Sequence, residues 1–235
     1  MTCNDETDKW VPSTSRRKNR GLGRKQQNPT LVARLQGLQD NLDSAWLHDC
    51  TNILAPHINT KELKVLSVRC LGLGSPESSD NARAQLAFLL RICKNFGIKS
   101  SSIAVYDPVF TEKDKSLFQE LGIRVLSETE SDGDPVEAPT LFFMPHCDLL
   151  LYENVLCANW SLDHLCHILF ICNTFGEYLQ NNSARSLESK APHLLKLAPR
   201  LTSTPLPPSP DWPGAFNNTS VQFLPSQETE LMLKF

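Results

Sequence analysis

Four places in this 235-residue chain combine residue types that could do chemistry. The first is Cys70-Leu71-Gly72-Leu73-Gly74-Ser75, a turn with two glycines directly after an apolar run. Glycine lets a backbone approach a ligand closely, and the N–H groups at a following helix start attract anions. Gly72, Gly74 and Ser75 are therefore candidate ligand contacts, although Ser78 stands where a dinucleotide fingerprint would carry its third glycine. The second is Asp107, which ends the run Ile103-Ala104-Val105-Tyr106 and precedes Pro108. A carboxylate there suits a ribose hydroxyl, but it lies further along than the ~20 residues of compact nucleotide-binding units. The plainer alternative is that the glycines make a tight turn and Asp107 opens another.

The third place is His146-Cys147, following Pro145. A thiol beside an imidazole suits a nucleophile or a metal, and either residue is chemically able to bind haem iron. Neighbours on a turn point apart, however, and no second ligand pair at zinc spacing follows, so packing and hydrogen bonding is the plainer role for His146. The fourth is Asn173, placed to hydrogen-bond across a crevice or to cap the next helix. Glu153 and Asn154 are polar groups for a pocket rim, and Trp160 is expected in the core. HExxH, GxSxG and GxxxxGK[ST] are all missing, as are carboxylate pairs at acid–base spacing. No catalytic constellation is read, and no cofactor is assigned.

These residues need elements to position them. Leu31, Leu35, Leu38, Leu42, Ala45 and Trp46 recur at three- and four-residue steps, predicting one amphipathic helix over residues 30–54, ended by Pro56. From residue 63 short apolar strands alternate with helices. Strands are expected at 65–71, 102–106, 123–126, 140–144 and 167–172, with helices at 79–96, 111–121, 148–158 and 174–182. Gly97 and Gly122 act as helix stops, and residues 128–139 form an acidic loop. Such alternation predicts an α/β, Rossmann-like parallel sheet with helices on both faces and strand order 3-2-1-4-5. The order then reverses between the first and fourth strands, where ligands bind in open sheets. Four loops carrying Gly72, Gly74, Ser75, Asp107, His146 and Asn173 would meet at that edge.

The expected organisation is a disordered basic arm (1–28), an α/β domain (30–182) and a proline-rich C-terminal extension (183–235) with one added strand near residues 215–224. The crowding of Pro199, Pro205, Pro207, Pro208, Pro210 and Pro213 argues against regular structure there. The run from Pro205 to Pro210 is a candidate site for a protein partner, with an extended loop as the plainer reading. Net charge is −3, yet six basic residues crowd positions 16–25, leaving the rest markedly acidic and a poor surface for nucleic acid. The arm suits a nuclear-import signal or simply a solvated tail. No apolar run of 18 residues exists, so no membrane span is expected. With a polar start carrying Asp5, Glu6 and Asp8, no secretory signal peptide is expected, and eight cysteines without a CxxC pair fit reduced thiols inside a cell.

Taken together, Cys70-Leu71-Gly72-Leu73-Gly74-Ser75, Val105-Tyr106-Asp107-Pro108-Val109-Phe110, Phe143-Met144-Pro145-His146-Cys147 and the run from Tyr152 to Ser161 resemble the SRR-like family (sensitivity to red light reduced). The likeness covers about residues 63–179 and, more faintly, 216–223. Where that family tends to Gly-Asn-Ser-Phe, this chain has Cys172-Asn173-Thr174-Phe175. The resemblance implies a cytoplasmic, also nuclear, regulator of circadian-clock gene expression and haem biosynthesis, and it carries over no catalytic residue. The alternative is a nucleotide- or S-adenosylmethionine-binding enzyme, methyltransferase-like, using the turn at residues 72–75 and Asp107.

Overall fold

The computed structural model describes residues 29–58, 65–131 and 134–225, so the basic arm lies outside the described residues. The predicted first helix is two. α1 (Leu31–Asn41) is capped by the Thr30 hydroxyl, and Leu42 then turns extended. Asp43 starts α2 (Ser44–Ile58) by accepting the Trp46 N–H at 2.6 Å, a cap hidden from the leucine count because that spacing runs straight through the break. Pro56 lies inside the end of α2 rather than stopping it.

The alternating part follows in order: β1 (Ser67–Leu71), α3 (Asp80–Asn95), β2 (Ile103–Tyr106), α4 (Glu112–Glu120), β3 (Arg124–Val125), α5 (Glu128–Ser131), β4 (Thr140–Met144), α6 (Leu149–Ala158), α7 (Leu162–Leu165), β5 (Ile168–Asn173) and α8 (Phe175–Asn181). Local chemistry explains the helix starts. Ser79, Thr111 and Asp148 each accept a first-turn N–H, and Thr111 with Asp114 forms a reciprocal capping box. The acidic loop contains the short α5, and β5 extends one residue further than expected, making Asn173 its last residue.

The C-terminal part departs most from expectation. It folds as α9 (Ala184–Lys190), α10 (Pro192–Leu197), β6 (Thr202–Pro205), α11 (Pro213–Phe216) and β7 (Thr219–Phe223). The sheet order is β3-β2-β1-β4-β5-β7-β6, so the expected 3-2-1-4-5 arrangement is extended by two antiparallel strands, not one. Pro205 is tolerated because β6 is an edge strand, where a missing N–H costs no ladder bond. The proline run is anchored while Pro205, Pro208 and Pro210 stay exposed: Leu206 is buried, and the Trp46 indole donates to the Pro207 carbonyl at 2.8 Å.

Apolar clusters cover both faces of the sheet. One joins α1, α2, α3 and α11 to Cys70, Phe143 and Ile171, with Trp46, Phe88 and Phe216 stacked against each other. The other joins α6, α9 and α10 to Phe142, Phe170 and Tyr152. β4 is buried throughout, as its unbroken apolar run requires of a central parallel strand.

Candidate functional site

β1 has β2 on one side and β4 on the other, and its outgoing loop meets the β4 loop where the chain order reverses. A cleft of about 550 Å³ opens there, within the ordinary range for small-molecule sites. Its walls come from the β1, β2 and β4 loops and from the first turns of α3 and α6. Gly72, Gly74, Asp107 and His146 all line it, as the sequence predicts.

Each residue is held by local bonds. Gly72 has φ +66°, and a Cβ there would stand 2.4 Å from the Cys147 sulfur. Only glycine gives the β4 loop room to close onto β1. The Asp107 carboxylate ties two loops together, accepting the Gly74 N–H at 2.7 Å and the Val109 N–H at 3.0 Å. His146 has φ +55°, one of two non-glycine residues with positive φ among the described residues. Two bonds hold it there: its N–H donates to the Asn173 Oδ1 at 3.1 Å, and its Nε2 meets the Ala215 carbonyl at 3.1 Å. A carbonyl only accepts, so Nε2 carries the proton and, in the neutral ring, Nδ1 is the lone-pair nitrogen.

Two candidates do not line the cleft. Ser75 is buried, and its hydroxyl donates to the Asp114 Oδ2 at 2.6 Å. Asp114 lies under the β1 loop and also takes the N–H groups of Glu77 and Thr111, so Ser75 shapes the turn from behind. Asn173 sits behind His146 and lines a smaller hollow of about 260 Å³ with Glu177, Tyr178 and Asn218. Its contribution to the cleft is to position His146.

Cys147 lines the cleft as a buried thiol. Burial, with Asp148 and Asp107 nearby, holds its thiol well above the ordinary range, and the sulfur lies 3.3 Å from the Leu71 carbonyl as donor. No grouping of His, Cys, Asp and Glu able to hold a metal exists among the described residues. In the run from Tyr152 to Ser161, several polar groups are held by structural bonds. Tyr152 donates to the Met144 carbonyl, Asn159 accepts the buried Val136 N–H, and Glu153 accepts the first amides of α10 from His193 and Leu194. Trp160 packs edge-on against the His193 ring.

Gln85 and Ala215 escape a reading by sequence. Gln85 is 3% exposed, yet it lines the cleft, and its Nε2 donates to the same Ala215 carbonyl that holds His146, at 2.7 Å. The signal was a lone amide in the otherwise apolar stretch of α3. Ala215 carried none, since its part is played by a backbone oxygen on the C-terminal segment.

The strand order and the cleft at its reversal define a Rossmann-like α/β domain with a small-molecule-sized site at the carboxyl edge. A family model described as the SRR1 domain matches residues 38–223, and the chain belongs to that family. A mouse SRR1-like protein is 40% identical over 133 residues, covering 56% of this chain and 53% of the relative. The Arabidopsis thaliana protein Sensitivity to Red Light Reduced 1 is 36% identical over 157 residues, covering 66% and 57%. The chain thus spans little more than half the length of these relatives. Among solved structures, a Thermoplasma acidophilum protein aligns with TM-score 0.36 and 14% identity over 83% of this chain and 96% of that one. The SAH-bound Podospora anserina methyltransferase PaMTH1 aligns with TM-score 0.40 and 10% identity over 84% and 88%. Among the described residues no helix is long and apolar enough to cross a membrane.

Proposed function

We propose that this chain is an intracellular regulator, cytoplasmic and also nuclear, acting in circadian-clock gene expression and in the control of haem biosynthesis, with the cleft as its ligand-responsive element. The observation that carries the reading is membership of the SRR1 family, supported by 36% identity to a plant protein whose name records a reduced sensitivity to red light. The cleft supplies a physical route for regulation. Two residues of its wall, Gln85 and His146, share the Ala215 carbonyl of the C-terminal segment, so a ligand that moves them would act on that segment as well. Cells lacking the protein should show altered haem content and altered rhythm of clock transcripts. Unchanged values of both would remove the proposal.

A second reading is favoured by the position of the cleft at the strand-order reversal: a nucleotide- or S-adenosylmethionine-binding enzyme. At 100 times its dissociation constant a ligand should stabilise the fold by ~2.7 kcal/mol, visible as a thermal shift. No shift with S-adenosylmethionine, NAD or nucleotides would end it. Partner binding through Pro205 to Pro210 is a further proposal, and it must contend with the burial of Leu206 and the Trp46 bond to Pro207. Deleting that run with all partners retained would dispose of it.

A further inference from the structure

A glycine turn leading into a helix suggests a phosphate site, because backbone N–H groups and the helix dipole converge on the anion. Here six of those amides are already engaged. Gly74 donates to Asp107, Glu77 to Asp114, and Ser78 and Ser79 both to the Ser75 carbonyl. Ala82 donates to the Ser79 hydroxyl, and Gly72 to the Tyr106 carbonyl. The nearby guanidinium is engaged as well: Arg83 is buried, donates to the Pro76 and Glu77 carbonyls and pairs with Asp80. Among the described residues lining the cleft none is Lys or Arg, whereas Asp107 and Asp148 both are there.

What the walls offer instead is acceptors. Behind the wall, the Ala215 carbonyl accepts hydrogen bonds from Gln85 Nε2 and His146 Nε2. The Gln85 amide is thereby oriented, and no donor among the described residues reaches its Oε1, so that atom is what this buried side chain offers the cleft. In the neutral ring the same bond leaves His146 Nδ1 as an acceptor. Two carboxylates, an amide oxygen and an imidazole nitrogen therefore surround a volume that suits a nucleoside-sized molecule.

We infer that the cleft selects a neutral or cationic ligand that donates hydrogen bonds, and rejects phosphorylated ones. The inference rests on the cleft being the ligand site of the proposed regulator. A phosphate would face two carboxylates with no lysine or arginine among the described residues lining the cleft to offset them and with six of the nearby amides already engaged, which should cost about tenfold or more in affinity.

The test is an NMR titration of the full chain, labelled with ¹⁵N, using adenosine, S-adenosylmethionine, AMP and ATP as probes. Adenosine or S-adenosylmethionine should move the amide signals of Gly74, Asn81 and Cys147, with AMP and ATP binding about tenfold weaker or worse. Asp148→Asn should narrow the gap between adenosine and AMP while leaving the melting temperature unchanged, because asparagine caps α6 as well as aspartate does. AMP or ATP binding as tightly as adenosine would overturn the inference, and so would failure of both unphosphorylated probes to move those signals. The regulatory proposal is decided in cells and this one on the purified chain, so each can fail alone.

Discussion

At Gly72 the backbone needs φ +66° and the space needs an absent side chain, two demands on one residue. Gly72→Ala should therefore cost roughly 2–5 kcal/mol, the sum of a left-handed alanine and an overpacked contact. Gly74→Ala, at φ +76° with only an ordinary 3.6 Å contact to Ala82, should cost roughly 1–2 kcal/mol. In a Cys147→Ala background the cost at Gly72 should fall to that of Gly74, and urea unfolding of the four variants reads the coupling. If the background makes no difference, the sulfur is not the obstacle. Thiol chemistry gives a second expectation: alkylation at pH 8 should modify exposed Cys157 well before buried Cys70, Cys147 or Cys172, whose thiols burial keeps protonated, followed by mass spectrometry of the peptides. Early loss of Cys147 would refute that. Gly72, Gly74, Asp107 and His146 were legible in the sequence because strand ends and turns announce themselves locally. Ser75 and Asn173 were misplaced because their direction depends on remote partners, Asp114 and the His146 backbone.

Between elements, the buried side chains that join them matter more than any helix alone. Asp114, on α4, collects Ser75, Glu77 and Thr111 and so fastens the β1 loop to the neighbouring helix. Asp114→Ala strands a buried hydroxyl and two amides and should destabilise by roughly 3 kcal/mol or more, measured by chemical denaturation. A loss under about 0.5 kcal/mol, the ordinary level of a surface change, would show that the loop stands without it. The five parallel strands were readable because each is an apolar run flanked by turn residues and helix caps. β6 was not, since Thr202-Ser203-Thr204-Pro205 has no apolar alternation; β7 was legible only as one added strand near residues 215–224, because it alternates Val221 with buried polar Ser220 and Gln222. Gln222 belongs inside because its amide bridges Phe175 N–H and the Asn173 carbonyl, a pairing that no local pattern shows. The break between α1 and α2 was hidden for the opposite reason: the leucines keep step while a single aspartate restarts the helix.

Across the whole molecule, the C-terminal segment completes the sheet and braces two cleft residues from behind. Removing residues 202–225 would strip the partner strand from β5, expose Ile171 and Leu169, and take the Ala215 carbonyl from Gln85 and His146. An open apolar edge of this kind recruits other chains, so the truncated protein should run as soluble aggregate by light scattering where the full chain runs as a defined species. A monodisperse truncated protein would show that α8 and α9 cover the edge unaided. The seating of β7 has another consequence, for the order of synthesis. As the polypeptide emerges, β1 to β5 are all outside the ribosome before the strand that closes their edge has been made. The half-built sheet must wait, and its slowest step should be this late, long-range antiparallel docking.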